Sequence, residues 1–197
     1  MSLTFGLAIF LGRFRMLTVL LYILVMVLLV LLVLVIFAAA RPNDFTIRRS
    51  IVIKAAPQQV FALIEDFRQW HRWSPWERLD PSMNKTLSGA ASGTGSIYEW
   101  DGNRKAGAGR MEIVSSTRYS AVDIQLIFRR PFQAQNRTLF TLAPQKDGTY
   151  VTWEMSGTNS LIPKIMGMVM NIDKLVGRNF ERGLVALRTE AEHLPAD

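Results

Sequence analysis

The residue types that most often carry nucleophilic or metal chemistry are scarce in this chain, which has two histidines and no cysteine. His71 falls in a tryptophan-rich turn and His193 near the end of the sequence, so a His-based zinc site or a Ser-His-Asp arrangement has no material. Without thiols there are no disulfides, thiolate metal sites or cysteine nucleophiles. Carboxylates are the remaining candidates for general acid–base work. Glu65 and Asp66 are neighbours on a predicted helix, point apart, and read as solvated charges. The small, flexible run Ser88–Gly95 invites a phosphate-cradling reading, but it lacks a Gly-Lys-Ser/Thr ending and no helical pattern follows it. From the residues alone, no metal and no cofactor are expected.

The elements that would position any site are legible from periodicity. Ile51 and Ile53 share one face of a strand that Ala55-Ala56-Pro57 ends, and Pro57 suits the first position of a helix. Val60, Phe61, Ile64 and Phe67 then recur as one apolar helix face. The helix runs out in Trp70-His71-Arg72-Trp73-Ser74-Pro75-Trp76, where Pro75 breaks any continuation. An edge strand is predicted over Met83–Leu87. Strands at hairpin spacing are predicted over Ser96–Asp101, Arg110–Ser115, Ser120–Arg129, Asn136–Leu142 and Tyr150–Ser156. A long helix is predicted from Pro163 to about His193, with Ile165, Val169, Ile172, Leu175 or Val176, Phe180, Leu184 and Leu187 on its apolar side. Gly167, Gly177 and Gly183 interrupt it, either for close approach or without purpose.

Several short motifs recur in a telling order: Ala56-Pro57-Gln58-Gln59-Val60-Phe61, then Ile64-x-Asp66 and Trp70-x-x-Trp73-Ser74-Pro75-Trp76. Gly93-x-Gly95, Tyr98-x-Trp100-x-Gly102, Gly107-x-Gly109, Pro131-Phe132 and Gly148-Thr149-x-Val151-x-Trp153 come next, before the long helix. In that order the chain from Phe45 to Leu194 resembles the START-like, helix-grip superfamily (SRPBCC), in its polyketide cyclase/dehydrase-like branch. The resemblance implies an α+β fold: a strand, two short helices, a curved antiparallel sheet of about six strands, and a long helix gripped by it. It also implies a cavity between sheet and helix, which holds apolar ligands in many members. Function varies within such a family, so the fold names neither ligand nor reaction.

Strand parity says what such a cavity would contain. Tyr98, Trp100, Met111, Ile113, Val122, Ile124, Leu126, Phe128, Phe140, Leu142, Val151, Trp153 and Met155 fall on one face. Glu99, Asp101, Glu112, Asp123, Gln125, Arg137, Thr152 and Glu154 fall on the other. The inner face is therefore expected to be almost free of ionisable groups, leaving little for acid–base catalysis. The residues expected to meet a ligand are Trp73, Trp76, Tyr98, Trp100, Phe128, Phe140, Trp153, Met155, Met166 and Met170. Plain packing is the rival reading for the Trp70/Trp73/Trp76 cluster and for the methionines.

Met16–Ala40 carries no charged side chain. At 1.5 Å per residue it makes about 37 Å of helix, enough for a hydrocarbon core of about 30 Å. It is too long for a secretory h-region, so an uncleaved anchor is expected even though Ala38-Ala39-Ala40 looks like a cleavage site. No GxxxG seam points to dimerisation through it. Basic residues near its ends favour a cytoplasmic domain, whereas the basic start favours the opposite orientation, and the side stays open. The chain's net charge is +7, of which Arg13 and Arg15 precede the apolar run. The rest is scattered among acids, with no basic stripe carrying interleaved aromatics, so a nucleic-acid partner is not expected.

The expected organisation is an N-terminal segment (1–15), a transmembrane helix (16–40), a linker (41–44), a START-like domain (45–194) and a tail (195–197). The expected protein is single-pass, as in a bacterial inner membrane. It would bind a small hydrophobic or amphipathic ligand, lipid-like or aromatic. A cyclase/dehydrase-like enzyme is the main rival, and a non-catalytic interaction module with a filled core is the third reading.

Overall fold

The computed structural model describes residues 2–40, 42–158, 164 and 171–195, with side chains from residue 15 onward. The chain forms two compact units, an N-terminal helix and a domain that begins at Asn43. Helix α1, Ser2–Ala40, runs unbroken through Arg13 and Arg15. Its stretch Arg15–Ala40 is 26 residues long and its most apolar 18-residue window has a mean hydropathy of 3.6, so it is long and apolar enough to cross a membrane.

The domain opens with β1 (Asp44–Ile53) and α2 (Pro57–Glu65), followed by a 3-10 turn at Phe67–Gln69, the single turn α3 (Trp70–Trp73) and a second 3-10 turn at Pro75–Arg78. Six strands follow: β2 (Asn84–Gly89), β3 (Ser96–Asp101), β4 (Ala108–Thr117), β5 (Ala121–Arg130), β6 (Ala134–Gln145) and β7 (Gly148–Thr158). They join β1 in one seven-stranded sheet of order β1-β7-β6-β5-β4-β3-β2, antiparallel throughout. The C-terminal helix α4 (Ile172–Glu192) buries Phe180, Leu184, Leu187 and Ala191 against it. This is the α+β helix-grip arrangement, and the inner-face residues assigned by parity are buried or half-buried here.

At one end of the sheet Ile53, Phe61, Ile64, Ile113, Val122, Ile124, Leu142, Val151 and Leu187 close the core. Full burial of each large aliphatic or aromatic side chain contributes about 1.5–3 kcal/mol. The other end, where β1 and α4 begin, is less filled. There Arg49, opposite Trp153 in the β1–β7 register, lies on the inner side and reaches α4. Its Nη2 donates to Asp173 Oδ2 at 3.0 Å and its Nε to Glu181 Oε1 at 2.9 Å. Gly177 sits between those two carboxylates along the helix, and a Cβ there would lie 2.0 Å from the Arg49 guanidinium.

Three expectations need correction. Helix α4 does not continue unbroken from Pro163: Asn171 is extended (φ −76°, ψ 95°) and caps α4, its Oδ1 accepting from Lys174 N at 2.9 Å. An Asn offers its short side chain to the orphan N–H groups of a first turn, so it starts a helix better than it continues one. The predicted Ile165, Gly167 and Val169 lie outside the described residues. Leu175 is 54% exposed, and Val176 holds the apolar position of that turn. Asp66 is not a solvated charge. It is extended, ends α2 and caps the 3-10 turn through Oδ1, which accepts from Arg68 N at 2.9 Å; Phe67 is buried from that turn and not from α2.

Candidate functional site

The unfilled end of the grip is a cavity of about 160 Å³. That is close to the ~150 Å³ of an engineered apolar protein cavity that takes up benzene. Trp76, Tyr98, Trp100, Met111, Leu126, Phe128, Trp153, Met155, Val176 and Phe180 form its apolar wall, with Trp70, Leu79, Met83 and Ala106 completing it. The aromatic wall is a packed array. Phe180 stacks on Trp153 at 4.3 Å and 5°, and Trp76 meets both rings edge-on at 5.9 and 5.4 Å. Trp100 meets Phe128 at 5.9 Å and lies over Gly109. At Gly183 a Cβ would stand 2.7 Å from the Trp153 ring and 3.0 Å from Pro75, so a side chain there would push into the wall.

Four polar residues complete the lining. Ser74, Glu77, Tyr98 and Thr138 are on the cavity surface, and Lys85 stands behind Glu77. Glu77 comes from the 3-10 turn Pro75–Arg78, which Pro75 starts and which carries its side chain inward until only 8% of it is exposed. Its Oε1 accepts from the Tyr98 hydroxyl at 2.6 Å, and its Oε2 is ion-paired with Lys85. Burial pushes the Tyr98 hydroxyl well above the usual phenol range, and the adjacent Glu77 carboxylate pushes it further, so Tyr98 stays a proton donor. The Ser74 and Thr138 hydroxyls have no hydrogen-bond partner among the described residues, although both residues are buried. The Trp153 indole Nε1 is also buried without a partner among the described residues.

The expectation of an inner face almost free of ionisable groups is therefore wrong in two places. Lys85 is opposite Trp100 in the β2–β3 register and so shares its face. Arg49 shares the face of Trp153 in the same way. Glu77 was missed because it is not on a strand. The outer-face carboxylates Glu99, Asp101, Asp123 and Glu154 pair with Arg129, Arg130, Arg137 and Arg48.

Of the residues expected to meet a ligand, the structure brings Trp76, Tyr98, Trp100, Phe128, Trp153 and Met155 together on the wall. Trp73 and Phe140 do not reach it. Both are core residues behind Trp153, at 5.6 and 4.8 Å between ring centres, and the Trp73 indole N–H is held by Leu63 O at 2.9 Å. Met166 and Met170 lie outside the described residues. His71 is exposed and its Nδ1 is bonded to Arg68 O at 2.7 Å, away from the cavity lining. Among the described residues no cluster of three His, Asp or Glu side chains could hold a metal ion.

With this geometry in view, the family model described as polyketide cyclase / dehydrase and lipid transport matches residues 44–192. The chain belongs to that family. No curated protein sequence matches it. Solved structures share the fold at low identity. Protein CV1439 from Chromobacterium violaceum is 17% identical with a TM-score of 0.56, over 77% of this chain and 98% of that one. The di-domain ARO/CYC protein BexL is 13% identical with a TM-score of 0.57, over 80% of this chain and 53% of that one. The di-domain ARO/CYC protein StfQ, from the steffimycin biosynthetic pathway, is 10% identical with a TM-score of 0.56, over 76% of this chain and 52% of that one. Membership in the family supports a ligand-binding or cyclase-like role.

Proposed function

We propose that this protein is a membrane-anchored binding protein whose cavity takes a small, neutral, largely apolar molecule with a single ring or an equivalent short chain and one hydrogen-bonding group. The observation that carries this reading is the cavity itself, about 160 Å³, walled by aromatic side chains and offering the unused hydroxyls of Ser74 and Thr138. An apolar wall gives affinity by area, and a few placed polar groups fix orientation. The volume matches one ring and argues against a polycyclic product as the resident ligand. The apolar stretch Arg15–Ala40 supports the anchor.

The test is calorimetric titration of the full-length protein in nanodiscs with toluene, phenol and a tricyclic phenol. Toluene and phenol are expected to bind, phenol more tightly, and the tricycle not at all. Thr138→Val with Ser74→Ala should erase the phenol advantage and keep toluene binding. Uptake of the tricycle with neither small probe bound would defeat the proposal.

One observation favours a second reading, a cyclase-like enzyme. Glu77 puts a carboxylate on the cavity wall, within reach of a substrate proton. If it acts so, Glu77→Gln abolishes turnover of an enolisable aryl ketone while toluene binding persists. In the binding-protein reading the wild type turns over no such ketone.

A further inference from the structure

We infer that the loops around the cavity mouth dock on the surface of an anionic lipid bilayer. The inference rests on the anchor reading of α1, and it names the surface the domain uses. The cavity occupies the half of the sheet at which β1 begins. β1 starts at Asp44 and β3 and β5 end there, while the lining residues Trp100, Phe128 and Met155 come from that half. In the sequence, three residues separate Asp44 from the end of the apolar helix at Ala40. Such a short tether leaves the domain little freedom to leave the bilayer.

Among the described residues three loops form this end, and they are tied together. The turn between β3 and β4 closes through Gly102 N to Gly107 O at 2.8 Å. It is joined to the loop after Arg78 by Asn103 N to Asp80 Oδ2 at 2.7 Å. Gly107 packs against Arg130 and Pro131, the start of the β5–β6 turn. This knitted rim presents two exposed apolar side chains, Leu79 (40%) and Phe132 (47%). Between them Arg104 and Lys105 are exposed at the turn tip, with no ion pair among the described residues. The rim's acids do not cancel this pattern. Asp80 is buried and bonded inward, Asp101 is paired with Arg130, and only Asp44 is exposed without an ion pair among the described residues.

Exposed apolar tips beside unpaired cations are the composition of a bilayer interface contact. The apolar groups enter the headgroup boundary and the cations meet anionic lipid. An acidic protein would satisfy the cations and leave Phe132 and Leu79 without a purpose. Docking in this way would set the mouth at the layer in which apolar ligands concentrate.

The absence of cysteine allows the test to be made on the full chain. An environment-sensitive fluorophore is placed on Gln133→Cys, beside Phe132, and in a control on Asp147→Cys in the turn between β6 and β7. Each protein is reconstituted in nanodiscs of phosphatidylcholine alone or with phosphatidylglycerol. The expected result is a blue-shifted, several-fold brighter emission at 133 with phosphatidylglycerol, unchanged emission at 147, and loss of the change in Phe132→Ser, in Arg104→Ser/Lys105→Ser and at high salt. Equal, water-like emission at 133 in both lipids overturns the docking and leaves the anchor standing. A change at 133 that follows the number of protein copies per disc, and not the lipid, overturns it in favour of self-association. Release of the chain from bilayers by an alkaline wash overturns anchor and docking together, while the toluene and phenol titration scores the ligand reading independently of lipid charge.

Discussion

Phe180→Ala probes the grip and the cavity at once. Phe180 is 1% exposed, stacked on Trp153 and edge-on to Trp76. Truncating a buried Phe to Ala typically costs about 3–5 kcal/mol. The lower end applies here, because part of the ring faces the existing cavity of about 160 Å³ and so lacks packed neighbours on that side. At about 2–4 °C per kcal/mol for a chain of this size, a loss near 3 kcal/mol lowers the melting temperature by roughly 6–12 °C. The assay is thermal unfolding of the full-length protein in detergent, followed by near-ultraviolet circular dichroism. Because the vacated ring space adjoins the cavity, the same variant should bind naphthalene more tightly than the wild type does. A melting temperature within about 2 °C of wild type would mean that α4 is not held by this face, and the account of the grip would fall with it.

Other consequences are as direct. Gly183→Ala should destabilise, since overpacking against the rigid Trp153 ring costs about 1–3 kcal/mol and outweighs the helix-propensity gain of about 1 kcal/mol. Gly177→Ala should be close to neutral, because only the flexible end of Arg49 must swing aside and its carboxylate partners are more than half exposed; equal melting temperatures for the two variants would refute the contrast. Trp100→Ala and Trp153→Ala should weaken toluene binding while the outer-face changes Glu99→Gln and Glu154→Gln leave it alone, and calorimetry that finds the reverse order would place the site elsewhere. Asp80 is held below the usual carboxylate range by the Ser82 hydroxyl and the Asn103 N–H, and Asp173 by Arg49. For a lowered folded-state value the unfolded chain binds the proton first, so both contributions are whole above about pH 4 and are lost as pH falls through the folded-state values. Acid melts should therefore steepen below that pH, less so in Asp80→Asn, and an identical acid profile for the variant would refute the role of Asp80.

The sheet was legible because a period of two leaves no freedom once one strand is phased. Trp100, Phe128, Trp153 and Met155 follow from that alone, and Thr138, two residues before Phe140, was available from the same rule. The Trp cluster was not separable by spacing. Trp70, Trp73 and Trp76 recur every third residue, but Pro75 ends α3 between the last two, so Trp73 turns into the core and Trp76 to the cavity. Glu77 left no signal because a four-residue 3-10 turn has no amphipathic period. Lys85 left none because every residue of β2 is exposed, so the strand shows no alternation to phase. Arg49 shared the parity of Ile51 and Ile53, and its charge disguised it as a surface residue. Its true setting depends on Gly177, which is more than a hundred residues away in sequence.

On the proposed reading, the charges on the inner side also select the ligand. Among the described residues the ionic groups on the inner side are matched, Glu77 by Lys85 and Arg49 by Asp173 and Glu181. A charged ligand would have to break one of these pairs or enter an apolar wall without a counter-ion, and an unpaired buried charge costs several kcal/mol. The free hydroxyls of Ser74 and Thr138 can instead serve a neutral donor or acceptor. Binding of phenol should therefore follow its neutral form. Its affinity should be flat through neutral pH and then fall about tenfold per unit above a pKa of about 10, the value of the phenol group in a tyrosine side chain. Tyr98 does not confuse the measurement, because burial beside Glu77 keeps it protonated throughout that range. Toluene, with no titrating group, supplies the control and should bind equally across the same pH series. Phenol affinity that rises with pH would show that the cavity recognises the phenolate, and the neutrality of the site would have to be abandoned.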